Sequence, residues 1–325
     1  FDPSTILGLQ LTAKLSEPLK VIGQLVMSGD GTNGNTAYEV DSTWAFLQYQ
    51  PMDSLSVDLG RVRIPLFLYS DTLQVGYTYP YFFLPNEVYR VVPFSNITGL
   101  SVDYKKPLGS SNWTLDAQPF VGANTSQYDV VLNEDQEPGS LLTDFDEDSM
   151  YGAAVTLSND TLLLRAAYSK LSLTAEPDVS ITSVALQDFS SEPTSFYSFA
   201  GKLTVKQLFL QGEYAHRDVP DTVAALTGYY ATLGYQADKW VPTVTYGRLK
   251  TDNIDQLNSG SSITKEAPEA QYSWTGSIAY YVNSMVDLKV MAQLIHPLDG
   301  TNGMFNQSPG KANVAMYGFG ADVIF

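Results

Sequence analysis

The chain has 325 residues and no cysteine, and its 35 acidic residues outnumber the 18 lysines and arginines to give a net charge of -17. Without cysteine, a disulfide framework and a thiolate metal site are excluded. The negative charge argues against the broad electrostatic footprint that binds a phosphate polymer, so nucleic acid is not an expected partner. No apolar run approaches the ~18 residues of a membrane-spanning helix, so a helical membrane protein is not expected either.

Apolar and polar side chains alternate with a period of two, beginning near the N-terminus. In the stretch LGLQLTAKL, Leu7, Leu9 and Leu11 share one face while Gln10 and Thr12 share the other. Alternation of this kind is typical of a half-exposed β-strand rather than a helix. The pattern predicts fifteen strands, at residues 5–15, 19–28, 38–49, 54–64, 97–106, 112–122, 149–158, 161–171, 196–206, 207–217, 226–236, 240–250, 270–282, 286–296 and 314–325.

Short and long connections alternate between these strands. Turns of a few polar residues, such as SEPLK and QADK, separate the strands on one side, and long polar segments, among them 65–97, 123–148 and 172–195, separate them on the other. No change of composition marks a linker or a second domain. The chain is therefore expected to form one all-β domain over residues 1–325.

Aromatic residues gather at the strand ends, where a bilayer interface would place them. Trp and Tyr favour that interface because one end of the ring is apolar and the other forms hydrogen bonds. Only a closed barrel satisfies every backbone polar group of a strand within hydrocarbon, so a transmembrane antiparallel β-barrel is predicted. An ordinary aromatic-rich β-sandwich is the alternative. The aromatic residues concerned are Trp44, Tyr49, Trp113, Tyr168, Trp240, Tyr246, Tyr272, Trp274, Tyr280 and Tyr317.

The last strand, YGFGADVIF, separates large apolar side chains from small or polar ones. The two faces carry Tyr317, Phe319, Ala321, Val323 and Phe325 against Gly318, Gly320 and Asp322. With the alternation of the whole chain, this ending resembles the Gram-negative outer-membrane porins, whose last strand commonly ends in Phe and is read by the barrel-assembly machinery. The resemblance implies an outer-membrane location after removal of a signal peptide, contact with lipid and lipopolysaccharide, and a homotrimer.

Bacterial single-chain barrels have an even number of strands, and fifteen is odd. The first and last predicted strands also run in the same direction, so they cannot close the barrel antiparallel to each other. One further strand before Phe1 is therefore expected, for sixteen in all; one misplaced strand is the alternative. With sixteen strands, segment 65–97 corresponds to the third extracellular loop, which in the porins that the chain resembles folds inward to narrow the pore.

The stretch from Gly60 to Phe94 resembles the corresponding stretch of porins from marine and soil proteobacteria. Arg61 and Arg63 are two residues apart and project from one face, with Val62 and Ile64 on the other. If that face lines the pore, opposed charges across the constriction would orient and select solutes. The loop charges that would oppose or join the two arginines are Asp71, Glu87 and Arg90.

The alternation slips near Gly60, and a β-bulge at Gly60 is expected to correct it. The alternative is that Arg61 and Arg63 simply pair with neighbouring carboxylates or lie at the outer rim.

Eight acidic residues lie between 129 and 148. Asp144, Asp146 and Asp148 among them are weak candidates for a Ca²⁺ site, because Ca²⁺ prefers oxygen ligands, although a solvated loop is the commoner reading of such a cluster. Ion selectivity stays open at this stage.

The function predicted from the sequence is passive diffusion of ions and small hydrophilic solutes through a water-filled channel. The sequence shows no nucleophile–base pair and no phosphate-binding glycine loop, so neither an enzyme nor a cofactor is expected. One alternative is a substrate-selective channel, for which Lys14, Arg165 and Lys289 are scattered charges rather than a ladder. A soluble secreted β-rich binding protein is a second alternative.

Overall fold

A computed structural model describes residues 5–29, 39–109, 112–131, 140–177, 189–219, 223–258, 267–298, 300–305, 309–310 and 312–325. None of the helices in these residues is long and apolar enough to cross a membrane. The strands are β1 (Ile6–Ser16), β2 (Leu19–Ser28), β3 (Glu39–Met52), β4 (Leu55–Arg63), β5 (Asn96–Pro107), β6 (Thr114–Val131), β7 (Ser140–Ser158), β8 (Leu162–Pro177), β9 (Phe189–Val205), β10 (Leu208–Asp218), β11 (Leu226–Tyr235), β12 (Trp240–Thr251), β13 (Ala270–Tyr281), β14 (Val286–Pro297) and β15 (Val314–Val323). The helices are α1 (Asn86–Tyr89) and α2 (Ile254–Asn258), with two 3₁₀ turns, Ser70–Thr72 and Gly76–Thr78.

All fifteen strands form one sheet in which each strand is antiparallel to its neighbours in the sequence. The order β1 to β15 confirms the number and sequence of the predicted strands. Such an order arises because every connection is a hairpin that returns to the adjacent position. Within the described residues β1 pairs only with β2, and β15 only with β14. The expected sixteenth strand, before Phe1, stays a prediction.

Four strands are longer than their sequence pattern indicated. β6, β7, β8 and β9 extend into residues 123–148 and 172–195, which were expected to be loops. Their added residues combine buried apolar side chains, such as Phe145 and Leu173, with polar side chains that pair across the strands: Thr125 donates to Asp146 at 2.9 Å and Gln127 to Asp144 at 2.6 Å. Cross-strand polar pairs stabilise strands in which the alternation is weak, which is why the hydrophobic pattern missed these extensions.

The two faces of the sheet differ in what covers them. Residues 65–95, which follow β4, lie against the face that carries Gln211, Glu213 and Lys289; we call it the covered face and the opposite one the bare face. On the bare face Leu210, Phe319 and their neighbours are exposed. The alternation predicted for β10, β14 and β15 is confirmed by their burial patterns.

Aromatic residues on the bare face lie near both ends of the strands. The Trp240 and Tyr280 ring centroids are 4.3 Å apart near the short turns, and those of Tyr246 and Tyr272 are 6.2 Å apart towards the long connections. Tyr272 and Tyr280 are eight residues apart on β13, which is about 26 Å along the strand. That separation matches the apolar band of an outer-membrane barrel, ~25 Å. Trp44 differs from the prediction, because its ring lies 5.7 Å from the buried Arg63 guanidinium and next to Phe46, which packs against the buried hydrophobic cluster.

Gly60 does not form the expected bulge. The pairing continues without a shift through Gly60, which lies opposite Phe46 on β3 and Gly99 on β5. Gly60 instead has φ +137°, and a Cβ added there would lie 2.9 Å from the Phe46 Cα atom. A glycine conformation, rather than an inserted residue, therefore accommodates the irregularity of β4.

Replacing Gly60 with Ala is expected to lower the free energy of unfolding by about 1–3 kcal/mol, because the strand must either strain or move away from β3. Urea unfolding of the protein in detergent measures the change. Gly276→Ala is the matched control, since an added Cβ there meets nothing within 4 Å. Equal stability of the two variants would show that Gly60 has no special conformational role.

Candidate functional site

The segment from Pro65 to Ser95, which we call the crossing loop, spans the covered face from β8 to β15. At its start, Arg165 on β8 donates from Nη2 to the Pro65 carbonyl at 2.7 Å, and Ser198 on β9 donates to the Leu66 carbonyl at 2.6 Å. These bonds satisfy backbone carbonyls that the loop would otherwise bury without partners. The beginning of the loop is thereby fixed to the middle of the sheet.

A buried carboxylate holds the next part of the crossing loop. Glu213 on β10 accepts hydrogen bonds from the Leu68 backbone N–H at 2.8 Å, from the Tyr89 hydroxyl at 2.6 Å and from the Tyr230 hydroxyl at 2.8 Å. Leu68 and Tyr89 belong to opposite ends of the loop. One carboxylate therefore joins both ends to the wall.

Tyrosine hydroxyls continue this network. Tyr69 donates to Gln211 at 3.0 Å, and Tyr81 donates to Thr232 at 3.1 Å. Burial raises the pKa of Tyr69 to about 12, so its hydroxyl remains a neutral donor at physiological pH. The middle of the loop is thus attached to β10 and β11 by uncharged donors.

The part of the crossing loop around Gly76 meets the last two strands. Lys289 on β14 is 2% exposed; its Nζ donates to the Gly76 carbonyl at 2.6 Å and pairs with Asp322 on β15 at 2.8 Å. Asp287 is a second carboxylate beside the lysine, with an oxygen 3.6 Å from the same Nζ. The sequence placed Arg165 and Lys289 on the polar face, but it gave no sign that both would hold the loop.

Small residues on β15 allow an aromatic ring of the loop to pack against the sheet. A Cβ added at either Gly318 or Gly320 would come within 2.9 Å of the Phe82 ring. The prediction that these glycines and Asp322 share the face opposite Phe319 is therefore confirmed. Their role is close packing against the loop.

Glu87 and Arg90, two of the predicted loop charges, have different environments. Glu87 is 1% exposed and accepts a hydrogen bond from Gln271 on β13 at 3.1 Å, so its carboxylate contacts the wall and not the solvent. Arg90 follows α1 and is exposed. The sequence gave no basis for distinguishing them, since they are only three residues apart in the same polar stretch of the loop.

The two predicted wall arginines also differ. Arg61 is partly exposed and its Nη2 lies 3.7 Å from Asp41 Oδ2. Arg63 is 8% exposed and donates hydrogen bonds to Ser95 at 2.6 Å and to Gln74 at 2.9 Å. Ser95 is the last residue of the crossing loop, and Gln74 lies within it. The ion pair of Arg61 matches the simpler alternative, whereas Arg63 is a support for the loop.

Val62 and Ile64, predicted on the face opposite the arginines, are packed beneath the crossing loop. Both are buried in the hydrophobic cluster that contains Leu66 and Phe67 of the crossing loop. Arg63 is buried as well as Val62 and Ile64, because the end of β4 leads directly into the crossing loop, and the loop covers it.

Asp71 is an exposed carboxylate of the crossing loop whose charge influences ionisable groups on the wall. It acts on Arg63 and Asp58 of β4 and on Arg165 of β8. None of these groups forms an ion pair with Asp71 within the described residues. The Asp71 side chain is exposed to solvent.

The predicted Ca²⁺ candidates are spread along β7. Asp144 and Asp146 accept hydrogen bonds from Gln127 and Thr125 on β6, and Asp148 is exposed. In the part of the chain that the structure describes, no three His, Asp or Glu side chains form a group that would hold a metal ion. The acidic residues at 132–139 lie outside the described residues.

Solved structures with the same architecture are outer-membrane proteins. Salmonella typhi OmpF superposes with a TM-score of 0.59 at 14% identity, covering 98% of this chain and 89% of that chain. OmpT, an outer membrane protein of Vibrio cholerae, gives 0.57 at 14% identity with 98% and 88% coverage. An anion-selective porin from Comamonas acidovorans gives 0.56 at 13% identity with 98% and 87% coverage.

The chain has the fold of Gram-negative outer-membrane porins. This agrees with the resemblance seen in the closing strand and in the alternation of the whole sequence. No protein-family model matches the chain, and no curated protein sequence matches it. At these identities the porin likeness establishes the fold alone.

Replacing Glu213 with Leu is expected to loosen the crossing loop. The change leaves the Leu68 N–H and the Tyr89 hydroxyl without their acceptor, at a cost of about 1–3 kcal/mol. Hydrogen exchange of the amides at 66–70, followed by mass spectrometry, should become about tenfold faster or more. Glu192→Leu, at an exposed position on β9, is the control and should exchange like the unmodified protein. Unchanged exchange in Glu213→Leu would show that this carboxylate does not hold the loop.

Proposed function

We propose that this chain is an outer-membrane porin, a pore for passive diffusion of ions and small hydrophilic solutes. One observation carries the proposal: a continuous sheet has an exposed apolar bare face and a polar covered face across which a loop is fixed by buried hydrogen bonds. The porin fold of the solved neighbours supports it.

The exposed side chains indicate which medium, hydrocarbon or water, contacts each face of the sheet. Leu210, Val244, Leu294 and Phe319 are among the many large apolar residues exposed on the bare face. Apolar patches beyond several hundred square ångströms are rare on soluble monomers, which argues for hydrocarbon there and against the soluble binding protein. On the covered face, β1 exposes Gln10 and Lys14, which require water.

The finer features belong to the same proposal. The sheet closes into a barrel of sixteen strands as one domain, with long connections outside and short turns in the periplasm. Residues 65–97 narrow the pore, and the charges that solutes meet are Arg61, Asp71 and Arg90, while Arg63 and Glu87 keep the loop in place. The protein forms homotrimers, contacts lipid and lipopolysaccharide, and is recognised for assembly through the strand ending in Phe325. It requires no catalytic group and no cofactor.

Reconstitution into planar bilayers tests the pore directly. Folded protein should produce stepwise increases of conductance in multiples of three, because each trimer contributes three channels. A control preparation, unfolded before it is added to the bilayer, should give no steps. Folded protein that dissolves without detergent and forms no channels would contradict the proposal and favour the soluble binding protein.

Replacing Asp71 with Asn should shift the selectivity towards anions. Removing one exposed carboxylate makes the electrostatic free energy of a passing cation less favourable, and that of an anion more favourable, by ~0.5 kcal/mol each, so the cation-to-anion permeability ratio should fall by roughly a factor of five. The reversal potential in a salt gradient measures this ratio. Asp53→Asn, at an exposed short turn, should leave it unchanged. An equal effect of both substitutions would place Asp71 outside the constriction.

A further inference from the structure

A cavity of about 110 Å³ lies where the two ends of the crossing loop meet β4. Leu66, Phe67 and Val92 are among the apolar side chains that line it, and Arg63 is the charged residue in the lining. Pro93, also in the lining, is exposed, so the cavity lies next to the solvent at the loop surface. It is separate from the Asp71 carboxylate that the proposed pore uses.

Arg63 is an unusual group to find in such a lining. Its two terminal nitrogens donate to neutral acceptors, Ser95 and Gln74, and its charge lies 5.7 Å from the centre of the Trp44 ring. Its Nε is buried and has no hydrogen-bond partner. Within the described residues no carboxylate lies within 4.0 Å of its guanidinium. A buried cation without a counter-ion is costly, as is a buried donor without an acceptor.

We propose that this cavity binds a small aliphatic monocarboxylate. A guanidinium has two N–H groups on each terminal nitrogen, and Ser95 and Gln74 accept one hydrogen bond from each of these nitrogens in Arg63. The remaining N–H groups can donate to the two oxygens of a carboxylate. The short alkyl group of the acid would occupy the apolar part, against Phe67 and Val92. Such a ligand places a carboxylate beside a buried guanidinium that has none within 4.0 Å in the described residues.

The size of the cavity limits the ligand. An apolar cavity of about 150 Å³ accommodates benzene, with six heavy atoms, so about 110 Å³ suits an acid of about five heavy atoms, such as propionate. The surrounding charges permit an anion, because the two acidic groups that act on Arg63, Asp41 and Asp71, are exposed to solvent, and Arg61 adds a second positive charge. A cationic ligand would instead meet the guanidinium directly.

A bound acid would connect the two ends of the crossing loop, because residues from both ends line the cavity. A bound acid should therefore slow hydrogen exchange at 66–70 and at 89–95. This consequence goes beyond the proposed pore and does not require it.

Isothermal titration calorimetry of the folded protein in detergent tests the site, with sodium propionate as the probe. Propionate is expected to bind saturably with one site per chain. Propan-1-ol and propylammonium, which match its length but lack the negative charge, should bind at least about tenfold more weakly, as expected for loss of hydrogen bonds to a charged group.

Two kinds of variant separate the guanidinium from the cavity. Arg63→Lys keeps the positive charge but lacks the paired N–H edge, and should weaken propionate binding about tenfold. Val92→Phe and Leu73→Phe fill the cavity and should abolish binding with Arg63 intact. Arg248→Lys, outside the lining, is the control and should bind like the unmodified protein. Heat-modifiable mobility on gels verifies that each variant is folded.

The inference is overturned if propionate does not bind the folded protein, if propan-1-ol binds equally well, or if Arg63→Lys and the cavity-filling variants retain full affinity. Channel recordings on the same preparations keep the two proposals apart. Conductance without propionate binding contradicts the ligand site alone, whereas propionate binding without conductance contradicts the pore alone.

Discussion

Backbone hydrogen bonding is the constraint on which the rest of the structure depends. Each strand pairs with its sequence neighbours from β1 to β15, so the N–H and C=O groups inside the sheet are satisfied without water. Only with these groups paired can a surface as apolar as the bare face, with Leu210, Val244 and Phe319 exposed, be stable in hydrocarbon. The side chains of that face then need no partner within the chain, and the opposite face is left to carry polar groups.

The crossing loop uses those polar groups. A loop that crosses a sheet for thirty residues would bury backbone groups without partners, and the covered face provides the missing donors and acceptors through Arg165, Glu213 and Lys289. Charged groups buried in this way are costly unless they are paired and hydrogen-bonded. Here each has partners from the loop. The charges that are buried hold the loop, and those that are exposed, such as Asp71 and Arg90, are available to solutes.

Much of the fold was predictable because a strand with one apolar face has an apolar residue at every second position of its sequence. The number of strands, their order and the faces of β10, β14 and β15 followed from that pattern. The extensions of β6 to β9 did not, because Thr125, Gln127, Asp144 and Asp146 are stabilised by partners on the next strand. At Gly60 the sequence signalled an irregularity but not its form, since a bulge and a positive φ disturb the alternation in the same way.

The sequence by itself determined that this is an all-β chain with one apolar and one polar face per strand, and it identified the segment between β4 and β5 as the distinctive connection. Only the tertiary structure decided what the charges of that segment and of the wall do. Arg63 and Glu87 are buried supports, Arg61 pairs with Asp41, and Asp71 and Arg90 are exposed. The physical reason is that alternation depends on local backbone geometry, whereas the environment of a charge depends on residues that only the fold brings together, such as Gln74 beside Arg63 and Gln271 beside Glu87.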